Sequence, residues 1–329
     1  MRNGEKMFDK IKWGLYSLKI AIFKPSNKQK TTTTMTAKKK EKIFIFLFLL
    51  FPMVQFLIFY VALNFNSILL AFQEYDQTAQ VYRIIGFKNF LDVFSDIFVT
   101  KKLVPAIKNS AIQSFFALII RLPLNVITAY VVFKKVPFSG FLKVMLFMPN
   151  LISSMAFVIN ARVLLANGMN QLFGYSLIDP LDMRGFWSVL LFGEWMGFAG
   201  GLIVYLSAMA SIPKEILEYG ELEPLSTFKE LTQVVVPLIF PTIVTYVVVG
   251  IANFFINAGY FFSFYSGGAN KETLYDTLGY YFFVKVAAPD ATPAHYNYAA
   301  AGGILFTLIV APATLVTKWA LEKYGPSED

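Results

Sequence analysis

Long apolar runs constrain the fold of this 329-residue chain more than any other feature. Each run can cross a hydrocarbon core of about 30 Å, because a helix rises about 1.5 Å per residue. The composition agrees, since 56% of the residues are hydrophobic and only 15% are charged. The sequence therefore predicts an all-α integral membrane protein with six transmembrane helices. The predicted spans are residues 43–72, 103–133, 141–165, 186–212, 234–264 and 296–321.

The amino-terminal segment is strongly basic. Residues 1–42 hold twelve Lys and Arg against three Asp and Glu, a net charge of +9, whereas the whole chain carries +8. A basic segment beside the first apolar run is the positive-inside signal, and it predicts a cytoplasmic amino terminus. Alternation of six spans then places the carboxyl terminus in the cytoplasm and residues 73–102, 166–185 and 265–295 outside.

Apolar periodicity divides the basic segment further. Phe8, Ile11 and Leu15 recur at spacings of three and four with lysines on the other face, which predicts an amphipathic helix on the inner membrane surface. A solvated helix with an accidental periodicity is the alternative. The polar residues that follow predict a basic flexible linker. The resulting boundaries are 1–24 for the surface helix, 25–42 for the linker, 43–325 for the membrane domain and 326–329 for a short tail.

The composition excludes several kinds of chemistry. The chain has no cysteine and His295 is its only histidine, so disulfides, thiolate metal sites and histidine clusters are ruled out. It has no GxxxxGK[ST] loop, and therefore does not hydrolyse ATP in the P-loop manner by itself. No Ser/His or paired-carboxylate constellation stands in a catalytic setting. The sequence predicts a non-catalytic subunit without a cofactor or metal of its own.

A charged stretch, IPKEILEYGELEPLSTFKELTQVVVPLIFPTI, fills residues 212–243 and links predicted spans four and five in the cytoplasm. Pro213 suits the first turn of a helix, where its missing N–H costs nothing. Pro224 ends or bends that helix, because its ring cannot continue the backbone ladder. Phe228 and Leu231 then lead into the next span. The stretch predicts a short helix, a corner and a second helix, with glutamates displayed to water.

This stretch resembles the cytoplasmic signature loop of permease subunits of bacterial ABC importers. The positions that match without a gap are Ile212, Pro213, Lys214, Glu215, Glu218, Phe228, Pro237, Leu238, Pro241 and Thr242. In that family the loop is a coupling helix that docks into a groove on the ATP-hydrolysing subunit. The resemblance implies ATPase-coupling roles for Lys214, Glu215, Glu218, Tyr219, Gly220, Glu223, Pro224 and Phe228.

The loop departs from the family pattern at two triplets. The family's EAA triplet is replaced by Glu218, Tyr219 and Gly220, and its DGA triplet by Glu223, Pro224 and Leu225. Proline makes the corner by a different route from glycine, so we expect the fold to survive. A tyrosine in place of a small residue implies an ATPase subunit whose groove has a matching shape.

Other segments extend the resemblance over most of residues 43–325. MLFMPNLISSMAFVINARVLL resembles a family segment built around the proline at position 149. SGGANKETLYDTLGYYFFVKV and YNYAAAGGILFTLIV resemble the closing region of the carbohydrate-import branch, the maltose-transporter type. The resemblance implies a carbohydrate importer of the bacterial cell membrane, with an oligosaccharide as the favoured cargo. Its implied partners are ATP-binding cassette subunits that hold ATP and Mg²⁺, a second similar permease and an extracytoplasmic solute-binding protein, and no nucleic acid.

Polar side chains inside the predicted spans are candidates for a solute pathway, because they are costly in lipid. One group in span four is Glu194, Trp195 and Phe198, and a second in span five is Asn253, Asn257 and Tyr260. The second group has spacings of four and three, which predict one helical face. Carboxylates, amides and aromatic rings are the chemistry of sugar binding. Hydrogen bonding between helices without a solute is the alternative, and Arg121 and Arg162 are interpreted as structural.

Three other functions compete with the importer. An ion-coupled secondary carrier would show internal repeats and more buried ionisable groups than this chain holds. A membrane scaffold or sensor would use the same loop for docking and transport nothing. An ABC importer for a peptide or a phosphorylated compound keeps the mechanism and changes the cargo, although Lys101 and Lys102 are the only basic cluster in the outer loops.

Overall fold

A computed structural model describes residues 37–151, 154–179, 182–216, 226–265 and 276–326. Most of these residues are helical, as the sequence predicts. The chain divides into two compact units, Met1–Ala62 and Leu63–Asp329. The predicted surface helix at residues 1–24 lies outside the described residues. Residues 37–42, which the sequence assigns to the linker, already form the start of the first helix.

The first unit contains helix α1 (Ala37–Phe56) followed by a π-helical turn, Leu57–Ala62. The described helices of the second unit are α2 (Leu63–Ala71), α3 (Lys88–Phe98), α4 (Val104–Phe115), α5 (Leu122–Phe133), α6 (Ser139–Leu151), α7 (Ser154–Val163), α8 (Met169–Phe173), α9 (Met183–Ala210), α10 (Thr227–Glu230), α11 (Val236–Leu238), α12 (Phe240–Ala252), α13 (Phe261–Tyr265), α14 (Leu278–Ala287) and α15 (Pro293–Tyr324). Further π-helical segments are Phe116–Arg121, Leu164–Gly168 and Leu231–Val235.

Four helical stretches among the described residues are long and apolar enough to cross a membrane. They are Glu41–Ala71, Val104–Phe133, Met183–Ala210 and Pro293–Tyr324. A fifth arises if Thr227–Leu238 and Phe240–Ala252, which meet at a bend of 73°, count as one span. The predicted span at residues 141–165 is divided between α6 and α7, and residues 152–153 between them lie outside the described part. The count of six spans therefore stays a prediction.

Two π-helical segments each end just before a proline. Phe116–Arg121 precedes Pro123, and Leu231–Val235 precedes Pro237. Proline has no N–H to bond the carbonyl four residues earlier, and its ring crowds that carbonyl. The wider π turn relieves this conflict without breaking the helix. Arg121, the last residue of the first segment, belongs to the candidate site.

The predicted outer loop at residues 73–102 contains structure that the sequence analysis did not predict. Strand β1 (Gln73–Asp76) pairs antiparallel with β2 (Val81–Ile84), so the described chain is not purely α-helical. The carboxylate of Asp76 accepts hydrogen bonds from the backbone N–H groups of Thr78 and Ala79, which closes the turn. Helix α3 follows the hairpin.

The fifth predicted span ends earlier than residue 264. Helix α12 ends at Ala252, with Asn253 as its C-cap. The Asn257 side-chain oxygen accepts a hydrogen bond of 2.8 Å from the N–H of Gly259, whose φ of +56° is left-handed. Beyond the end of α12, this side-chain turn and the left-handed glycine keep the chain at 257–259 out of a helix. The prediction that Asn253, Asn257 and Tyr260 share one helical face is therefore wrong.

Helix α9 positions the candidate site. It begins after Asp182, whose side chain accepts a hydrogen bond from the Arg184 N–H and caps the helix; this bond lowers the pKa of Asp182. The first half of α9 contributes Phe186 to one hydrophobic cluster, and the second half contributes Tyr205 to another that also includes α5. The glycine-containing middle of the helix, GFAGG, lies between the two clusters.

Candidate functional site

Two polar side chains cross the glycine-containing surface of α9. Arg121 lies over Gly197, and Asn125 lies over Gly201, so close that a Cβ atom on either glycine would overlap the polar side chain. Arg121 and Asn125 are four residues apart, as are the two glycines. Residues four apart lie on one helical face, so two side chains of one helix face two glycines of the other. The missing Cβ atoms make room for polar groups between packed helices.

Arg121 forms an ion pair with Glu194, one turn before Gly197 on the same helix. Its Nη1 lies 3.4 Å from the Glu194 Oε2, and the side chains are 30% and 16% exposed, respectively. The pair places opposite charges together inside a predicted span, where an isolated charge would be costly. The sequence analysis named Glu194 and treated Arg121 as structural; the structure joins them.

A cavity of about 150 Å³ opens beside these residues, and we call it the Arg121 chamber. Its lining residues are Ala117, Leu118, Arg121, Leu122, Asn125, Gly197, Gly201, Tyr205, Tyr246, Val249, Gly250 and Asn253. The rings of Tyr205 and Tyr246 lie 5.2 Å apart at 40°. The chamber combines a cation, two amides and two aromatic rings, a set suited to a polyhydroxylated solute.

Two of the lining groups are buried without a hydrogen-bond partner among the described residues. They are the Asn125 Oδ1 and the Tyr205 hydroxyl, which belong to lining residues but have almost no accessible area of their own. The two residues are 3% and 0% exposed. An unsatisfied buried polar group costs about 1–3 kcal/mol, so such groups in a native protein call for an explanation.

The structure brings together only part of the predicted solute pathway. Asn253 lines the chamber and Glu194 borders it through Arg121. Trp195 instead lies 5.4 Å from the Phe157 ring, and Tyr260 covers Gly193 and meets Phe192 edge-on at 5.3 Å. The last two predicted residues do not line the chamber: Phe198 is half-buried, and Asn257 is exposed in the turn described above.

Sequence reasoning missed Asn125, Tyr205 and Tyr246. One signal was available for the first of them. Arg121 and Asn125 are polar residues four apart in an apolar span, and glycines four apart occur in another span. Nothing in the sequence connects the two pairs, because their contact depends on how the spans pack.

The predicted coupling stretch is described at its two ends. Lys214 and Glu215 are exposed in a helical turn after Pro213, and Phe228 on α10 is 73% exposed. Ser226 caps α10 by accepting a hydrogen bond from the Lys229 N–H. The residues between these ends, Glu218, Tyr219, Gly220, Glu223 and Pro224, lie outside the described part of the chain.

An ion pair fixes the second end of that stretch. The Lys134 Nζ, at the end of α5, lies 2.7 Å from the Glu230 Oε1. The side chains are only 26% and 12% exposed, so the pair is partly shielded from water. It links α10 directly to α5, the helix that carries Asn125. The described end of the charged stretch therefore contacts the helix that also lines the chamber.

A second polar cluster lies on the predicted outer side. The Asp96 carboxylate accepts hydrogen bonds of 2.7 Å from the Tyr298 hydroxyl and 2.8 Å from the Thr100 hydroxyl. Burial alone would raise the pKa of Asp96, but these bonds and the positive charges of Lys102 and Lys285 outweigh it and lower the pKa. The cluster ties α3 to the start of α15.

The known proteins to which this chain is similar are permeases or chains of ABC transporters. No protein-family model matches the sequence. A "probable ABC transporter permease protein" of Mycoplasma pneumoniae is 23% identical over 188 residues, which cover 52% of this chain and 55% of that protein. The arabinooligosaccharide transport system permease AraP of Bacillus subtilis is 21% identical over 275 residues, which cover 80% of this chain and 84% of that protein. The chain thus spans little more than half the length of the first relative.

A solved structure shares the fold. A chain of a bacterial alginate ABC transporter, crystallised with a periplasmic protein bound to an alginate pentasaccharide, superposes with a TM-score of 0.66. The match is 18% identical and covers 88% of this chain and 98% of that one. Together with the relatives, it confirms the resemblance to carbohydrate-type ABC permeases, which the charged stretch and the closing region of the sequence imply.

Proposed function

We propose that this chain is a permease subunit of a binding-protein-dependent ABC importer that moves a carbohydrate into the cytoplasm. The observation that carries the proposal is the gapless signature in residues 212–243 together with relatives that are themselves named ABC permeases. An oligosaccharide is the proposed cargo, because AraP is named for arabinooligosaccharides and the structural neighbour transports alginate. ATP hydrolysis takes place in separate subunits that hold ATP and Mg²⁺.

The proposed mechanism has three steps. A solute-binding protein delivers sugar to the outer face of a pair formed by this chain and a second permease. ATP binding draws the ATPase subunits together, and the coupling helix between spans four and five follows them. Lys134 and Glu230 transmit that movement to α5, and the pathway between the spans changes the side to which it opens. The solute passes residues of the chamber and the predicted group Glu194, Trp195, Phe198, Asn253, Asn257 and Tyr260.

The first experiment tests the assembly. Tagged protein is purified from its native membrane in mild detergent, and the co-purifying proteins are identified by mass spectrometry. We expect an ATP-binding subunit and a second permease. Recovery of this chain alone, with solute uptake in vesicles that contain no ATP, would contradict the proposal and favour the secondary carrier.

A second experiment tests coupling. We expect Glu218→Ala to abolish ATP-driven uptake while the permease still reaches the membrane, because the matching family glutamate contributes to the docking contact. Glu322→Ala is the matched control, since Glu322 is a half-exposed glutamate of α15, outside the signature stretch. Normal uptake by the Glu218 variant would remove the coupling role from this residue.

A further inference from the structure

We propose that helix α3 lies in the outer leaflet of the membrane, with an apolar stripe among the lipid acyl chains and with Lys101 and Lys102 beside the lipid phosphates. The inference goes beyond the transport function, because it assigns a phospholipid surface as the partner of a segment that the sequence analysis places in an outer loop. Three observations carry it: the stripe, the level at which α3 is held, and the two lysines.

The first observation is a continuous apolar stripe on the exposed side of α3. Four large apolar side chains share one helical face, because their positions are four, three and four residues apart. They are Phe87, Leu91, Phe94 and Phe98. Each is between 50% and 68% exposed, whereas the packed face of the helix holds the buried Asn89 and Val93. A contiguous exposed apolar patch marks a surface that contacts a membrane or another protein.

A polar face lies beside the stripe. Lys88, Asp92 and Ser95 also follow spacings of four and three, and the first two are exposed. Helix α3 therefore has a packed face, an apolar face and a polar face around its circumference. This arrangement is typical of a helix that lies in the plane of the membrane surface, with one side in the acyl region and another in water.

The second observation is the level at which α3 is held. Near its start, the Asn89 Nδ2 donates a hydrogen bond of 2.9 Å to the carbonyl of Ala71, the last residue of the first apolar stretch. Near its end, the Asp96 carbonyl accepts one of 3.0 Å from the N–H of Leu103, just before the second stretch begins. Val93 packs with both Ala71 and Leu103 in one hydrophobic cluster. Because α3 is tied to the ends of two membrane-length helices, its stripe lies at the membrane surface.

The third observation is the position of Lys101 and Lys102, between α3 and the start of the next span. Both are exposed, and neither takes part in the ion pairs found among the described residues. In an outer loop surrounded by water, the two lysines oppose the positive-inside rule. Long lysine side chains can instead reach from an apolar edge to the phosphates of the lipid. A phospholipid surface offers acyl chains and phosphates at adjacent depths, which matches the adjacent stripe and lysines.

Site-directed spin labelling tests the proposal, because the chain contains no cysteine. Leu91→Cys and Phe98→Cys place the label on the stripe, and Asp92→Cys places it on the polar face as the matched control. Each labelled full-length variant is reconstituted, with any subunits that co-purify, in vesicles of phosphatidylethanolamine and phosphatidylglycerol. The cysteine-free wild type gives the background signal from the other subunits. The accessibility of each label to oxygen, which concentrates in the acyl region, is compared with its accessibility to a water-soluble nickel chelate.

We expect the ratio of oxygen to nickel accessibility at Leu91→Cys and Phe98→Cys to be about tenfold higher than at Asp92→Cys, because a polar chelate is excluded from the acyl region. Nickel accessibility equal to that of the control would show that the stripe faces water. Low accessibility to both reagents would show that a protein covers it. Either result overturns the proposal.

The lysines are tested through the label at Leu91→Cys. Addition of Lys101→Glu and Lys102→Glu sets carboxylates beside the lipid phosphates, and should raise the nickel accessibility of that label about threefold in vesicles rich in phosphatidylglycerol. Lys135→Glu is the control, because Lys135 is an exposed lysine of a predicted cytoplasmic loop. Equal accessibility with and without the two substitutions would overturn the assignment of the lysines to the phosphates. None of these measurements involves transport, so their failure is distinct from a failure of ATP-driven uptake, which decides the proposed function.

Discussion

At the scale of single residues, three glycines of α9 have different surroundings although they are close in sequence. A Cβ atom at Gly197 or Gly201 would overlap Arg121 or Asn125, whereas one at Gly200 would meet nothing within 4 Å. Glycine in a helix is less favourable than alanine by about 1 kcal/mol. Two of these glycines are therefore explained by the side chains that cross them, and the third is not.

Alanine substitutions test this difference. We expect Gly197→Ala and Gly201→Ala to lower ATP-driven uptake about tenfold or more, because overpacking of a tight site costs about 1–3 kcal/mol and moves the polar side chains. Gly200→Ala should leave uptake unchanged and raise Tm slightly, since it improves helix propensity in open space. Equal loss of uptake in all three variants would contradict the argument.

Some residues of the candidate site can be recognised in the sequence and others cannot. Glu194 and Asn253 are recognisable as polar residues in apolar spans, and both lie at or beside the chamber. Tyr205 is not recognisable, because a tyrosine in an apolar helix is usually packing material. Its role depends on Tyr246, which lies on another helix, and that contact requires the packed structure.

At the scale of helices and strands, the junction between α5 and α10 depends on one ion pair. Breaking it leaves a charge that is only 26% exposed at Lys134 or 12% exposed at Glu230. Reversal of either charge also sets two like charges side by side, and removal of one partner of a buried pair costs up to about 3–5 kcal/mol. We therefore expect Lys134→Glu and Glu230→Lys each to lower Tm and the ratio of solute moved to ATP hydrolysed.

The reversed pair provides the control for this junction. Lys134→Glu combined with Glu230→Lys restores opposite charges, and should recover at least half of the lost transport ratio. Measured in proteoliposomes with the full complex, an additive loss in the double variant would show that the two side chains do not act on each other.

The Asp96 cluster gives a pH prediction for the outer elements. The pKa of Asp96 is lowered, so its ionised form contributes stability that is fully present above the ordinary value of about 4 and is lost as pH falls through the lower folded value. We expect Asp96→Asn to be less stable than the wild type at pH 7 by about 1 kcal/mol. The difference should shrink below about pH 4.

Thermal unfolding at several pH values checks this prediction. Asp92→Asn is the control, because Asp92 is an exposed carboxylate on the same helix. A difference between wild type and Asp96→Asn that stays constant from pH 7 to pH 3 would show that the ionised carboxylate is not the stabilising form.

The bounds of a helix could be predicted from the sequence where the length of an apolar run determines them. The long helices Val104–Phe133 and Met183–Ala210 lie within a few residues of their predicted bounds, because a 25- to 30-residue apolar run has few alternatives. The end of α12 was not predictable from hydropathy, since most residues between Ala252 and Asn257 are apolar although the helix has already ended. The β-hairpin was missed because its strands are four residues each.

At the scale of the whole molecule, the predicted topology assigns each loop to one side of the membrane. Positive charge predicts a cytoplasmic amino terminus, but Lys101 and Lys102 in a predicted outer loop oppose the rule. The hairpin turn at Thr78 and the loop at Val136 lie in segments that are predicted to face opposite sides. Both positions are exposed, so each is accessible to a reagent in water.

The absence of cysteine makes this topology directly measurable. The chain contains none, so a single introduced cysteine is its only thiol. We expect Thr78→Cys to react with a membrane-impermeant maleimide in intact cells, and Val136→Cys to react only after permeabilisation. Lys323→Cys, near the end of α15, should behave like Val136→Cys if the number of spans between them is even. Labelling of Thr78→Cys and Val136→Cys from the same side would mean that residues 103–133 do not cross the membrane, and the six-span prediction would then have to be abandoned.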